Sequence, residues 1–159
     1  MKLPNALIAA AIAVAGIGLV LVASFVEPFA SMNPCPMCMM QRAIYLVTAA
    51  FAILALFTLR HRLLRTIFAL FGMISAVAGA AVATRQVWLQ HLPKDEVPAC
   101  GPPLEYMIEV FPIMEVIQTM LMGTGDCAEI QWQWLGLSIP GWSIIAFSCL
   151  AIAHLMLIV

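Results

Sequence analysis

Four long stretches without charged residues constrain this chain more than any other feature. Residues 6–26, 43–59, 66–84 and, roughly, 139–159 are apolar and contain no Asp, Glu, Lys or Arg. A helix needs about 17–25 such residues to cross a bilayer. We therefore predict an all-α membrane protein in which four transmembrane helices form a bundle, with residues 1–159 as a single domain.

The composition supports this class of protein. The chain has 159 residues, of which 64% are hydrophobic and only 9% are charged, and its mean hydropathy is +1.05. A water-soluble domain of this size has too much surface to hide so many apolar side chains. The net charge of −1 and the lack of a basic patch argue against a nucleic-acid partner. The sequence shows no sheet signal and no phosphate-binding loop.

The basic residues predict the topology. Arg60, Arg62 and Arg65 crowd the short loop 60–65, and Lys2 precedes the first helix. Basic residues are retained on the cytoplasmic side of a membrane. Both termini and loop 60–65 are therefore predicted to be cytoplasmic, and loops 27–42 and 86–138 to face outside. A signal peptide over the first run is the alternative, but the run is longer than usual and no clean Ala-x-Ala site ends it.

The second outer loop contains two short amphipathic segments. In LEYMIEVF, residues 104–111, apolar side chains recur at helical spacing, and in IMEVIQTMLM, residues 113–122, they form one broad face. Both segments are too short to span a bilayer. We predict short amphipathic helices that lie on the membrane surface, with packing of these helices against the bundle as the alternative.

Four of the five cysteines fall in the two outer loops. Cys35 and Cys38 lie in the first loop, Cys100 and Cys127 in the second, and Cys149 in the fourth apolar run. Disulfides persist on the outer, oxidising side of the membrane. Cys149 has no partner in its segment, and we interpret it as a small buried apolar residue.

The close spacing of Cys35 and Cys38 favours redox chemistry. A disulfide between them closes a very small loop, so it would stabilise the fold little. Zinc would require a second close pair, whereas Cys100 and Cys127 are 27 positions apart and no histidine stands at finger spacing. We predict no metal site. Two purely structural disulfides remain the alternative.

Two arginines stand on the outer side, against the usual trend for basic residues. Arg42 follows Cys38 by four residues, which is one helical turn, and Arg85 ends the third apolar run. A guanidinium and a helix N-terminus would both stabilise a thiolate at Cys38. The alternative for Arg42 is contact with lipid headgroups. A redox pair at this depth also needs an electron acceptor, and a lipid-soluble quinone is the natural two-electron carrier there.

These motifs resemble the disulfide bond formation protein B (DsbB) family of bacterial quinone-linked membrane oxidases. The stretch PCPMCMMQR is similar to the family's first-loop cysteine pair and its arginine, here Arg42. GDCAEIQWQWLGLSIPGW, residues 125–142, is similar to the signature around the last loop cysteine, here Cys127. Cys100 matches by position. The stretch between Arg85 and Cys100 matches less closely, and Arg85 and His91 are further candidates for quinone binding.

The resemblance implies a relay of disulfides in the bacterial inner membrane. A reduced periplasmic thioredoxin-fold oxidase (DsbA-like) attacks the Cys100–Cys127 disulfide at Cys100, and Cys127 then attacks Cys35. Cys38 is released as a thiolate beside Arg42 and passes two electrons to ubiquinone or menaquinone from the respiratory pool, after which Cys35–Cys38 forms again. Each step is ordinary thiol–disulfide exchange.

Two other functions stay open at this point. A vitamin K epoxide reductase-like enzyme also couples loop cysteines to a quinone, but its Cys-x-x-Cys follows the loop pair, whereas here it comes first. A four-helix membrane protein with structural disulfides that only binds a partner is the non-enzymatic alternative. Resistance of its disulfides to mild reductant would distinguish that protein from a relay.

Overall fold

Four long helices dominate the computed structural model, which describes residues 2–30, 34–93, 95–102 and 104–159. Each is long and apolar enough to cross a membrane. They are α1 (Lys2–Ala30), α2 (Pro36–Phe57), α3 (Arg62–Gln90) and α7 (Ile139–Ile158). The predicted all-α fold class with four membrane-length helices is confirmed.

Three of the four helices extend beyond the apolar runs that predict them, and α1 exceeds the run 6–26 at both ends. Helix α2 begins at Pro36 rather than at residue 43, and α3 continues to Gln90 rather than ending at residue 84. Proline suits the first helical turn because its backbone lacks the N–H that would be unpaired there. Gln41 and Gln86, which lie in the added turns, are buried in the bundle. Arg42 and Arg85, the charged residues that bounded the predicted runs, therefore lie inside α2 and α3 rather than beyond their ends.

Small residues allow the four helices to approach closely. Helix α3 packs along α2 and α7, and α1 packs against α2 and α7. The rings of Tyr45 and Phe147 stack with centroids 3.9 Å apart. The buried small residues are Ala49, Ala52, Ala69, Gly72, Ala76, Gly79 and Ala83. Such residues are typical of helix interfaces within membranes.

Gly79→Ala is expected to destabilise the bundle. A methyl group at Gly79 would overlap the ring of Phe147 on α7, whereas one at Gly18 in α1 would meet no atom within 4 Å. Overpacking of this kind costs about 1–3 kcal/mol. Thermal unfolding in detergent should therefore show a lower midpoint for Gly79→Ala and an unchanged or higher one for Gly18→Ala. Equal midpoints for the two variants would contradict this packing.

Three short helices lie between α3 and α7. They are α4 (Leu104–Val110), α5 (Ile113–Met122) and α6 (Gly125–Ala128), and the first two coincide with the predicted amphipathic segments. Val116 of α5 is buried, while Ile113, Met114 and Ile117 are exposed. Contact of these exposed side chains with the membrane surface stays a prediction.

A two-stranded hairpin precedes α7, in a stretch where the sequence shows no sheet signal. Strands β1 (Gln133–Trp134) and β2 (Leu137–Ser138) pair antiparallel. The turn residues Leu135 and Gly136 have φ values of 51° and 79°, as a tight two-residue hairpin turn requires. Two-residue strands are too short to show alternation, and leucine is rare at a positive φ, so the sequence carried little signal.

Candidate functional site

The Cys35–Cys38 pair lies at the N-terminus of α2. Cys35 caps the helix, and its sulfur accepts a hydrogen bond from the Cys38 N–H at 3.4 Å. The two sulfur atoms are 3.0 Å apart, a thiol contact rather than the bond of about 2.05 Å found in a disulfide. The first turn of α2 therefore holds both sulfurs where a small movement can join them.

Cys127 joins this pair from the other loop. It lies in α6 and is fully buried, at 0% exposure. Its sulfur interacts with the Cys35 thiol and with the backbone N–H of Met37, and it lies 3.7 Å from the Thr124 hydroxyl oxygen. The buried cluster around these groups comprises Cys35, Met37, Val82, Leu89 and Cys127. The structure thus brings together one cysteine of the second loop and both cysteines of the first.

Cys100 lies beside this cluster but on its solvent side. Its side chain is exposed, and its thiol interacts with the Asp126 carboxylate. The Gly125 N–H donates to the carbonyl of Ala99 at 3.2 Å, and a Cβ at Gly125 would lie 3.1 Å from the Cys100 sulfur. Cys100 therefore neighbours the segment that carries Cys127 and is the accessible thiol of the second loop.

Hydrogen bonding separates the acidities of the loop thiols. The pKa of Cys127 is lowered to about 6, first by the hydrogen bond from Cys35 and also by the N–H groups of Met37 and Thr124, against the effect of burial. The same Cys127 contact, with Cys38 and burial, raises the pKa of Cys35. Asp126 raises the pKa of Cys100. Cys127 is thus the thiolate and Cys35 the thiol of their contact.

The ultraviolet absorbance of the Cys127 thiolate is expected to vanish as the pH falls through about 6. Its lowered pKa means that the thiolate is present above that pH and protonated below it. The measurement is the difference in thiolate absorbance between reduced wild-type protein and Cys127→Ser over a pH series, with Cys149→Ala as the matched control. A difference that disappears already near the ordinary thiol pKa of about 8.5 would contradict this assignment.

Two buried glutamines, Gln86 and Gln41, lie next to the Cys35–Cys38 pair, and the sequence analysis missed both. The Gln86 side-chain amide donates to the sulfurs of Cys35 and Cys38 at 3.2 and 3.3 Å. Gln41 donates to the carbonyl oxygen of Gln86 at 2.6 Å. In the sequence, Gln41 is only a polar residue one turn beyond Cys38, and Gln86 is only a polar residue beside Arg85. Neither position is a strong enough signal to identify a site.

Arg42 is engaged by a carboxylate rather than by one of the described cysteine sulfurs. Its guanidinium forms a two-pronged ion pair with Glu27 of α1, with one N–O distance of 2.9 Å. Both side chains are 18% exposed. Glu27 was also missed, although it is the only acidic residue outside the long second loop. The ion pair holds the Arg42 fork in a fixed orientation between α1 and α2, at the end of the bundle that carries the cysteines.

The cysteine pair, Arg42, Glu27 and Gln86 all line one cavity of about 530 Å³. Its wall is formed by α1, α2, α3 and α7 together with the hairpin. Apolar and aromatic side chains form most of its wall, among them Val22, Val26, Trp132, Trp134, Ile139 and Trp142. Its polar lining residues include Cys38, Arg42, Glu27, Gln86, Gln90, Asp126 and Glu129. Volumes of about 300–1,000 Å³ with a few polar groups are typical of small-molecule sites.

The other candidate residues lie apart from this cavity wall. The Arg85 guanidinium stacks 4.6 Å from the ring centroid of Trp88 and donates to the carbonyl of Met122 at 3.4 Å. His91 ends α3, and its Nδ1 contacts the Val87 carbonyl at 2.8 Å. Cys149, predicted to be buried, is exposed on α7, because its helical position turns it away from the buried Phe147 and Leu150.

The fold and the site define a class of membrane protein built for thiol–disulfide exchange. Three sulfurs from two loops meet at the end of a four-helix bundle, and a fourth is accessible beside them. Among the residues that the structure describes, no group of three or more His, Cys, Asp or Glu side chains is arranged to hold a metal ion.

The comparisons with known proteins are consistent with this class. Residues 5–157 match the family model of "Disulfide bond formation protein DsbB". "Disulfide bond formation protein B" of Hahella chejuensis is 48% identical over 82% of this chain and 79% of its own. The protein of that name from Marinobacter nauticus is 46% identical, over 87% and 82% of the two chains. The chain belongs to the DsbB family of membrane disulfide bond formation proteins and is a disulfide-forming oxidoreductase.

Proposed function

We propose that this protein reoxidises a periplasmic, DsbA-like thioredoxin-fold oxidase and passes the electrons to a membrane quinone. The observation that carries the proposal is the meeting of Cys127 with Cys35 and Cys38 in one buried cluster. Purely structural disulfides would not require a second-loop thiol to contact the first-loop pair. A relay requires this contact, because electrons must cross from one loop to the other.

The exposed sulfur and the buried sulfurs have different parts in the proposed relay. A partner thiolate attacks Cys100, forming a mixed disulfide and releasing Cys127 as a thiolate. Cys127 then attacks Cys35, so that a Cys127–Cys35 bond forms, the Cys35–Cys38 bond breaks and the electron pair remains on Cys38. The second thiol of the partner attacks the mixed disulfide, and the partner leaves oxidised.

The last exchange re-forms the Cys100–Cys127 disulfide of the second loop. Cys100, released as a thiolate, attacks Cys127, so that the Cys100–Cys127 bond forms and Cys35 is freed. The two electrons from the partner then reside on the Cys35 and Cys38 thiols. The geometry supports each exchange, because Cys35 contacts both Cys38 and Cys127, and Cys100 lies beside Gly125, two residues before Cys127.

The residues around the cavity fit a quinone. Its apolar and aromatic wall suits the ring, and Arg42 offers hydrogen-bond donors for a carbonyl oxygen. Ubiquinone or menaquinone, when bound, supplies the two-electron acceptor for the thiols. Arg42 would orient the ring and stabilise negative charge on an oxygen, and the apolar wall would exclude water. Of the three residues predicted to bind the quinone, Arg42, Arg85 and His91, only Arg42 lines this cavity. We therefore do not extend the proposal to Arg85 and His91.

The proposed orientation follows from the basic residues. Arg60, Arg62 and Arg65 lie at the α2–α3 connection, the end of the bundle opposite the cysteines, and positive charge marks the cytoplasmic side. The cysteine site and the short helices would then face the periplasm, with both termini in the cytoplasm. The exposed apolar side chains of α5 would contact the membrane surface.

Quinone reduction by the purified protein, with a reduced DsbA-like protein as the electron donor, tests this function. We expect one quinone to be consumed for each partner disulfide formed, and Cys127→Ser to stop both reactions. Protein whose loop disulfides resist mild reductant and which reduces no quinone would instead be the partner-binding alternative. Reduction of an epoxide substrate by the loop thiols would indicate the vitamin K epoxide reductase-like activity.

A further inference from the structure

The Gln86 side chain contacts both sulfurs of the Cys35–Cys38 pair. Its Nε2 lies 3.2 Å from the Cys35 sulfur and 3.3 Å from the Cys38 sulfur. Gln86 is only 2% exposed, so water has little access to this amide. A buried amide without partners is costly, and here the sulfurs are the acceptors available to its N–H groups.

Gln41 orients this amide. Its own Nε2 donates to the Gln86 oxygen at 2.6 Å, and Gln41 is 4% exposed. With its oxygen held by Gln41, the Gln86 amide presents its NH₂ group to the sulfurs. Gln41 belongs to α2, as Cys38 does, whereas Gln86 belongs to α3. The arrangement therefore links the cysteine turn to the neighbouring helix.

The strength of these contacts depends on the charge of the sulfur. The sulfur of a thiol or disulfide is a weak hydrogen-bond acceptor, whereas hydrogen bonds to charged groups are roughly twice as strong as neutral ones. An amide that faces both sulfurs therefore favours states in which one of them is a thiolate. In the proposed exchange, the electron pair of the broken Cys35–Cys38 bond is left on Cys38, within reach of this amide.

We propose that Gln86, oriented by Gln41, is a positioning residue that holds the two sulfurs in contact and stabilises negative charge on Cys38 when their bond opens. The inference deepens the proposed function and rests on it for the identity of the reaction. The contacts themselves concern only the thiols and two amides. They can therefore be tested without a quinone and without the partner.

The test compares Gln86→Leu, Gln41→Leu and a matched control, Gln118→Leu, in the full chain. Gln118 is exposed on α5, away from the sulfurs. The first measurement is the alkylation rate of Cys38 in reduced protein at neutral pH, resolved by mass spectrometry. The second is the equilibrium of the Cys35–Cys38 disulfide with reduced and oxidised glutathione.

Loss of the Gln86 amide should change both quantities in linked directions. In Gln86→Leu, we expect alkylation of Cys38 to slow by about threefold to tenfold, because fewer molecules carry the thiolate. The glutathione equilibrium should move toward the disulfide by about tenfold, because the reduced form loses its stabilising contact. Gln41→Leu keeps the Gln86 amide but frees its orientation, so it should give smaller shifts of the same sign. Gln118→Leu should shift neither.

Two outcomes would overturn the inference. One is an unchanged alkylation rate and an unchanged equilibrium in folded Gln86→Leu. If Gln86→Leu does not fold, the deciding variant is Gln41→Leu. A wild-type alkylation rate and a wild-type equilibrium in Gln41→Leu would then overturn the inference. Failure of the proposed function is a separate result: wild-type protein would then reduce no quinone, while the shifts at Gln86 persist. If Gln86→Leu changes neither the alkylation rate nor the glutathione equilibrium while wild-type protein reduces quinone, only the role of Gln86 is rejected.

Discussion

A Cys100→Ser variant is expected to lose all catalysed oxidation of the thioredoxin-fold partner. Cys100 is the exposed sulfur of the second loop, whereas Cys127 is fully buried. A partner thiolate can therefore reach only Cys100 without rearrangement of the loop. Without that sulfur, neither the mixed disulfide nor the Cys100–Cys127 bond can form, and the partner should be oxidised no faster than in the absence of the enzyme.

The same variant should still form its first-loop disulfide with quinone. Cys35 and Cys38 remain 3.0 Å apart in α2, and no contact of this pair involves Cys100. The measurements are the rate of partner oxidation and, separately, formation of the Cys35–Cys38 disulfide after addition of quinone to reduced protein. Cys149→Ala is the matched control, since that cysteine is on α7, and it should match wild type in both. Partner oxidation at the wild-type rate in Cys100→Ser would show that the order of the relay is wrong.

The sequence predicts the helices of this fold well because lipid imposes a simple rule. Each spanning segment must satisfy its own backbone and expose apolar side chains, so charge-free runs identify it. The structure confirms helices at all four runs. The rule says little about helix ends, which depend on caps and on burial of polar side chains. Pro36 starts α2 before the apolar run because proline suits the first helical turn. Gln86 lies in the extension of α3, where its polar side chain is buried in the bundle.

The site is only partly readable from the sequence. Cys35 and Cys38 are neighbours in sequence, and helix geometry places them together. The meeting of Cys127 with Cys35 depends on how the second loop folds back over α2, which no spacing rule gives. The same holds for Gln86, whose partners lie 45 to 51 positions away, and for Glu27, whose partner lies 15 positions away. Arg42 had a clear sequence signal, but its ion pair with Glu27 requires the packing of α1 on α2.

Arg42→Met is expected to slow quinone reduction by about 100- to 1,000-fold, the usual effect of losing a donor aimed at developing charge. Arg42 and Cys38 both line the cavity, so the guanidinium is placed to act on an acceptor bound there. Arg42→Lys should recover part of the rate, because lysine keeps the charge but loses the planar fork. Trapping of the partner on Cys100 should be unaffected, since that sulfur lies in the other loop.

Arg85→Met is the matched control for this prediction. Arg85 is the other arginine predicted to lie on the outer side, but its guanidinium stacks on Trp88 and contacts Met122 rather than the cavity. We expect quinone reduction by Arg85→Met to stay close to the wild-type rate. Kinetics over a range of quinone concentrations will compare the two variants. Equal losses in both would assign the effect to positive charge in general, and wild-type kinetics in Arg42→Met would leave Arg42 as a contact for lipid headgroups.

The ion pair with Glu27 makes it necessary to separate catalysis from stability. Arg42→Met leaves the Glu27 carboxylate without its partner in a mostly buried position, and breaking such a pair can cost about 3–5 kcal/mol. Slow quinone reduction could then reflect unfolding. The double variant Glu27→Gln with Arg42→Met removes the stranded charge, so its thermal midpoint should exceed that of Arg42→Met. Its quinone reduction should stay as slow as in Arg42→Met, because the donor is still missing. Recovery of the rate together with the midpoint would show that Arg42 supports the fold and has no direct part in the reaction.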